Sequence, residues 1–223
     1  MPHRAGSDLG QTPVSRRTLF VLLVTGLVGF AAFAVAYDFD PLATADRETA
    51  EWVAASMPSW IQSLARVPSW IGGWLGITVL AIVLGVVLLR ERAWLDLGFL
   101  LAAFAGSQIV VSLLKAWFDR SRPDVGSAVA LPSSASFPSG HATAGVASLG
   151  AAAVLIAERL PSHRTRVWLW ALTITGGLAV GVSRVVLNVH YVTDVLAGWC
   201  LGLAWLAACL LVRDSIRGRA DRV

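Results

Sequence analysis

Apolar residues fall in long uninterrupted runs, with polar residues confined to the segments between them. The runs predict helices over about 18–36, 70–89, 94–118, 141–157, 167–187 and 191–212. Each is 17 to 25 residues long, and a helix needs about 20 residues to cross roughly 30 Å of hydrocarbon. A helix satisfies its own backbone groups there, and the strand-like alternation of a membrane barrel is absent. The predicted fold is all-α: one six-span bundle over 18–212, between polar tails at 1–17 and 213–223. Gly72, Gly73, Gly76, Gly176, Gly177, Gly198 and Gly202 sit in or beside these runs, where small residues let helices approach closely.

The longest connection, 37–69, opens with Asp38, Asp40, Asp46, Glu48 and Glu51 and continues with Trp52, Met57, Trp60, Ile61 and Leu64. That mixture predicts a short interfacial amphipathic helix, interrupted at Pro58. The first run is preceded by Ser15-Arg16-Arg17 and closed by Ala34-Val35-Ala36, which mimics a twin-arginine export signal. Its 19 apolar residues and the five runs that follow favour an uncleaved anchor.

Composition agrees with the pattern: 56% of the 223 residues are apolar, 14% are charged and the mean hydropathy is +0.68. The net charge of +4 does not point to nucleic acid, because the basic residues are scattered among short loops without interleaved aromatics. Topology accounts for them. With the N-terminus in the cytoplasm, 12 of the 18 basic residues lie inside: Arg4, Arg16, Arg17, Arg90, Arg92, Arg159, Arg164, Arg166, Arg213, Arg217, Arg219 and Arg222. Arg47, Arg66, Lys115, Arg120, Arg122 and Arg184 lie outside. The excess of inside charge predicts both termini in the cytoplasm of a multi-pass cell-membrane protein. Cys200 and Cys209 share one helix, roughly 13 Å apart along its axis, and cannot pair with each other.

On the outer face the charged groups gather at helix ends. Lys115, the only lysine in the chain, stands near the outer end of the third run, whose 25 residues make a helix of about 37 Å that overshoots the hydrocarbon. Its ammonium is a compact point charge, or a snorkelling helix-end group. Arg122-Pro123 follows, then a loop rich in Ser, Ala and Gly, then Phe137-Pro138-Ser139-Gly140-His141 at the start of the fourth run. There Ser139 can cap the helix, Gly140 admits a close backbone approach, and the free amides favour an anion. The third cluster is Ser183-Arg184, His190 and Asp194. A spacing of four puts Asp194 on the face of His190, where a carboxylate can fix the imidazole tautomer and leave the other nitrogen free to attack.

Taken together, Lys115 with Arg122-Pro123, then Pro138-Ser139-Gly140-His141, then Ser183-Arg184 with His190 and Asp194, resemble in identity, order and spacing the three-part signature of the type 2 phosphatidic acid phosphatase superfamily. The resemblance implies a membrane phosphatase whose active-site face is formed by 115–141 and 183–194. It implies that Lys115, Arg122 and Arg184 hold the phosphate oxygens, helped by Ser139 and the Gly140 amide. His190 would be the nucleophile of a phosphohistidine intermediate, Asp194 its orienting group, and His141 the acid for the leaving oxygen, with no metal or other cofactor. This needs His190 neutral and His141 charged. Members of the superfamily commonly carry Gly where Asp119 stands, so the loop there departs from the pattern.

The expected partner is a lipid phosphate that enters from the bilayer, because the site lies at helix ends and no sizeable soluble domain exists. Undecaprenyl diphosphate, favoured slightly, phosphatidic acid, lysophosphatidic acid, diacylglycerol diphosphate and phosphatidylglycerol phosphate all fit. The alternatives are an anion-binding transporter, which lacks the expected mid-membrane charges on broken helices, and a sugar-phosphate phosphatase of the same superfamily. Vanadium haloperoxidases share the motif but are soluble. Oligomeric state is not legible. Arg120 and Asp119 read as a helix-end salt bridge or interface solvation, His3 and His163 as solvated, and Asp96, Gln108 and Ser112 as helix contacts. Trp117 and Trp199 are weak candidates for lining a lipid route.

Overall fold

The computed structural model describes residues 14–220; His3, Arg4 and Arg222 lie outside them. These residues form helices α1 (Arg16–Ala36), α2 (Asp40–Ser56), α3 (Ser59–Ile71), α4 (Trp74–Arg90), α5 (Trp94–Leu101), α6 (Ser107–Phe118), α7 (Gly140–Ala157), α8 (His163–Val186) and α9 (Val192–Ala220). A π-helical turn, Ala102–Gly106, joins α5 to α6. No strand occurs among the described residues. Six helical segments are long and apolar enough to cross a membrane: α1, α3 with α4, α5 with α6, α7, α8 and α9.

The second segment, Ser59–Arg90, begins earlier than the run expected at 70–89. Gln62, Arg66 and Pro68 dilute hydropathy before Ser69 without stopping the helix, and the break falls instead at Gly72–Gly73. The expected connection therefore holds two helices, α2 and α3, separated at Met57 and Pro58, where the missing proline N–H and fixed φ end one helix and begin the next. At the other end, α9 runs past 212 to Ala220.

Helix α7 occupies the centre. Its sequence, GHATAGVASLGAAAVLIA, carries small residues on every face, so α4, α6, α8 and α9 can all pack close to it. Two glycines of α9 make the closest approach. A Cβ on Gly198 would lie 2.7 Å from the Ser139 carbonyl oxygen, and one on Gly202 would lie 2.6 Å from that of Thr143. Gly176 has no such role, with nothing within 4 Å of the equivalent position. The large apolar side chains of α1, α4 and α8, such as Phe20, Ile82 and Leu172, point outward, as suits helices whose solvent is hydrocarbon.

At the end of the bundle away from the motifs, Arg213 is almost wholly buried. It donates to Asp96 at 2.7 Å and to Glu158 at 2.7 Å, while Arg217 donates to Asp96 at 2.7 Å. Asp96 thus joins α5 to α9, as the sequence suggested when it assigned that carboxylate to helix contacts. Arg213, read there as part of a tail, is one of its partners.

Candidate active site

Helix α6 ends at Phe118, and Asp119 adopts the left-handed conformation at φ 43°, ψ 35°. This conformation costs least for glycine and is tolerated by Asp. The chain then turns back over the helix ends. Lys115, in the last turn of α6, donates through Nζ to the Ala135 carbonyl. Arg122 donates through Nε to the Ser134 carbonyl at 2.9 Å and through Nη1 to the Val189 carbonyl at 2.7 Å. Both cations thereby clasp the loop that leads to α7.

Ser139 caps α7 with its hydroxyl accepting from Ala142 N–H, and its own N–H donates to the Asp194 carbonyl at 3.0 Å. Being buried, it keeps only a hydroxyl proton to offer a ligand. The N–H groups of Gly140 and His141 find no acceptor among the described residues, which leaves two donors at the positive end of the longest-buried helix. Gly73, at the break between α3 and α4, stands behind His141: a Cβ there would lie 3.2 Å from Nε2. Arg184, in the last turn of α8 and 6% exposed, donates through Nη1 to the Ser69 hydroxyl, whereas its Nε is buried without a partner. A buried guanidinium with an unmet donor suits an anion that the protein itself does not supply.

His190 lies two residues before α9 and is 3% exposed. Its Nδ1 is 3.3 Å from Asp194 Oδ2, and its Nε2 is 3.2 Å from Arg122 Nη1. A guanidinium has no acceptor, so Nε2 accepts and the ring proton resides on Nδ1, donated to Asp194. Burial pulls the imidazole pKa down to about 4, against the opposing pull of Asp194 and with Arg122 and Lys115 adding to the fall. The ring is therefore neutral near pH 7, with its Nε2 lone pair directed at the Arg122 guanidinium. An uncharged nucleophile beside positive groups can attack phosphorus that those groups hold and polarise.

A cavity of about 510 Å³ opens beside this cluster. Lys115, Gly140 and His141 line its upper part, with Ser133, Ser134 and Asp119 at its rim. It continues down between Gln108, Ser112, Val111 and Phe104 on one side and Trp74 and Ile77 on the other.

A family described as the PAP2 superfamily matches residues 96–217, over half of the chain. The phosphatidylglycerophosphatase B of Bacillus subtilis is 30% identical over 177 residues, covering 78% of this chain and 86% of its own. The chain belongs to the PAP2 superfamily. A PAP2-type phosphatidylglycerolphosphate phosphatase from Bacillus subtilis, solved by crystallography, superposes with a TM-score of 0.81 at 26% identity, covering 87% of this chain and 96% of that one. Over a shorter stretch of 76 residues, 34% of this chain and 32% of the relative, the undecaprenyl-diphosphatase of Sulfolobus acidocaldarius is 40% identical. The protein is thus a membrane phosphatase of the PAP2 type.

Lys115, Arg122, Ser139, Gly140, His141, Arg184, His190 and Asp194, the site residues expected from the sequence, converge at one end of the bundle, yet one important neighbour falls outside that set. Arg120 donates through Nη1 to Asp194 Oδ1 at 2.6 Å and to the Thr193 hydroxyl at 2.7 Å, and through Nη2 to Asp46 Oδ2 at 2.9 Å. Its guanidinium lies between the rings of Tyr37 and Tyr191, 4.9 and 4.3 Å from their centres. Burial opposes its charge, but the two carboxylates outweigh that and hold its pKa above the usual value. Asp46, from α2, also accepts the Thr193 N–H at 3.2 Å and so caps α9 from another helix. Arg120 was expected to form a helix-end salt bridge or to be solvated at the interface; it forms salt bridges, to Asp194 and Asp46. The partners are 74 residues away in each direction, a separation that no local spacing rule reports.

Proposed function

We propose that the protein hydrolyses a lipid phosphate or diphosphate at the outer face of the cell membrane through a phosphohistidine on His190. The observation that carries this is the hydrogen-bonded row from Asp194 through His190 to Arg122, which leaves Nε2 as the lone pair facing the cations. Lys115, Arg122 and Arg184, with the Gly140 amide and the Ser139 proton, bind the phosphate oxygens. Nε2 attacks phosphorus as the bond to the leaving oxygen breaks, and His141 gives that oxygen its proton. The Asp194 carboxylate, held by Arg120, stabilises the positive charge that develops on the ring. His141 then takes a proton from water, whose oxygen attacks phosphorus and returns His190 to its neutral form.

The lipid reaches the site laterally. Helix α4 packs on α5 and α7 more than on α6, and the cavity lies between α4 and α6. The excess of basic residues at the opposite end supports an outward-facing site with both termini in the cytoplasm. Purified protein assayed for phosphate release, with labelled substrate and rapid quench, should yield an acid-labile, base-stable phosphoenzyme that His190→Ala abolishes. Turnover by His190→Ala at the wild-type rate would refute the mechanism.

A further inference from the structure

The motif clusters that meet at the site all lie between Lys115 and Asp194, yet the second helical segment, Ser59–Arg90, also reaches it, at the break between α3 and α4. Gly72 lets this end of α3 lie directly on α8, where a Cβ on it would fall 2.2 Å from Val180 Cγ2. Arg184 follows Val180 by one turn on α8, and Ser69 precedes Gly72 by about one turn on α3. The contact that seats Gly72 therefore brings Ser69 opposite Arg184. Gly73 completes the arrangement. A Cβ on it would lie 2.9 Å from the Ser69 carbonyl oxygen and 3.2 Å from His141 Nε2, so Ser69 and His141 face each other across a single glycine.

Ser69 is 7% exposed, and its hydroxyl accepts from Arg184 Nη1 across 115 residues of chain. Neither Nε nor Nη2 of Arg184 has a hydrogen-bond partner among the described residues. These two nitrogens form one edge of the planar guanidinium, the edge that can hold two oxygens of one phosphate side by side. The nitrogen outside that edge is the one tied to Ser69. Among the described residues no carboxylate pairs with Arg184, whereas the buried Arg213 binds Asp96 and Glu158 and Arg120 binds Asp46 and Asp194. A carboxylate in the place of Ser69 would compete with phosphate for the guanidinium. A neutral hydroxyl orients it and leaves its charge for a ligand.

We infer that Ser69 is a positioning residue for phosphate binding, which fixes Nη1 of Arg184 and thereby presents the free edge of Nε and Nη2 to the phosphate. A long side chain left loose would lose rotamer freedom each time phosphate bound. With Nη1 held, that ordering is complete before the ligand arrives. This positioning role rests on the phosphatase reading above and makes α3 part of the site.

The test uses purified full-length protein, a short-chain phosphatidic acid as substrate and inorganic phosphate as competitive inhibitor. Ser69→Ala should lower kcat/KM about tenfold and raise the inhibition constant of phosphate about tenfold, the range of one hydrogen bond to a charged group. Ser69→Thr, which keeps the hydroxyl, should bring both to within about threefold of wild type. Ser69→Cys, nearly the same size and a weaker acceptor, should lie between wild type and Ser69→Ala, and it serves if the threonine variant does not accumulate. Melting temperature without phosphate reads the structural part separately. A lower melting temperature in Ser69→Ala with kcat/KM and phosphate inhibition unchanged would make Ser69 a packing residue and overturn the positioning role. In Arg184→Lys, which has no fork to orient, adding Ser69→Ala should change phosphate inhibition less than about twofold. A further loss of about tenfold there would show an effect independent of Arg184 and would also overturn it. Either result leaves the phosphatase reading standing; retention of turnover by His190→Ala is the separate result that overturns the latter.

Discussion

Replacing Arg120 with methionine keeps most of the side-chain length and removes the charge that bridges Asp194 and Asp46. In the structure Asp194 is 0% exposed and Asp46 3%, and Arg120 supplies hydrogen bonds at 2.6 and 2.9 Å to them. Breaking a buried pair by removing one partner costs about 3–5 kcal/mol. Arg120 keeps 11% of its side chain exposed, which places the loss near the lower end of that range. Asp194 retains the Tyr191 N–H at 2.9 Å and the His190 ring, so it keeps two partners with its orientation loosened. A hydrogen bond to a charged group contributes about 1.5–3 kcal/mol. If that contribution is lost where the imidazole becomes cationic, kcat falls about tenfold to a hundredfold.

The assay is steady-state hydrolysis of a short-chain lipid phosphate, with phosphoenzyme formation followed by rapid quench and thermal stability followed in parallel. The expected outcome is a fall in kcat and in the rate of phosphoenzyme formation, with KM changed less than about threefold. Arg120→Lys, which keeps the charge but not the planar fork, should lie between. A kcat within about threefold of wild type in Arg120→Met would refute the positioning role, and a rise confined to KM would place Arg120 on the substrate instead.

Three further outcomes follow from the structure. With His190 held neutral down to a pKa of about 4, the acid limb of kcat/KM in the free enzyme should lie near that pH, and a limb attributable to His190 near 6.5 would contradict its buried, neutral state. Because the folded pKa is depressed, the stability that neutral His190 contributes is complete above about pH 6.5 and is lost as pH falls toward 4; His190→Gln should flatten the loss of melting temperature across that window. Gly198→Ala places a carbon 2.7 Å from the Ser139 carbonyl oxygen and should cost about 1–3 kcal/mol, with at least a tenfold loss of activity, read by melting temperature and turnover. Gly176→Ala, which faces open space, is its control and should change neither.

The sequence made the spans legible because hydrocarbon imposes one length and one composition on every helix that crosses it. It made the signature residues legible because each cluster has fixed local spacing. His190 and Asp194 are four apart, and the structure keeps them in contact although α9 starts only at Val192. Two kinds of relationship left no local trace. Arg120 meets Asp46 and Asp194 only because α2 folds over the end of α9, a tertiary contact. Gln108 and Ser112 read as helix contacts, yet both line the cavity, which forms only when α4 and α6 are brought together in the fold. Gly176 failed for the opposite reason, since composition marks a glycine as small without telling what stands opposite it.

The cap that Asp46 places on α9 spans 147 residues of chain. Ribosomal synthesis delivers Asp46 and the Arg120 that binds it well before Thr193 and Asp194 exist. The early pair can form and wait, each charge neutralising the other while two further spans, α7 and α8, are inserted. Only arrival of the last segment converts this pair into a bridge that holds the Asp194 carboxylate. A nascent protein that has reached Arg184 but not His190 carries Lys115, Arg122 and Arg184 without the His190–Asp194 pair. On the proposed mechanism, chemistry is therefore switched on only at the end of biogenesis, when the bundle is closed.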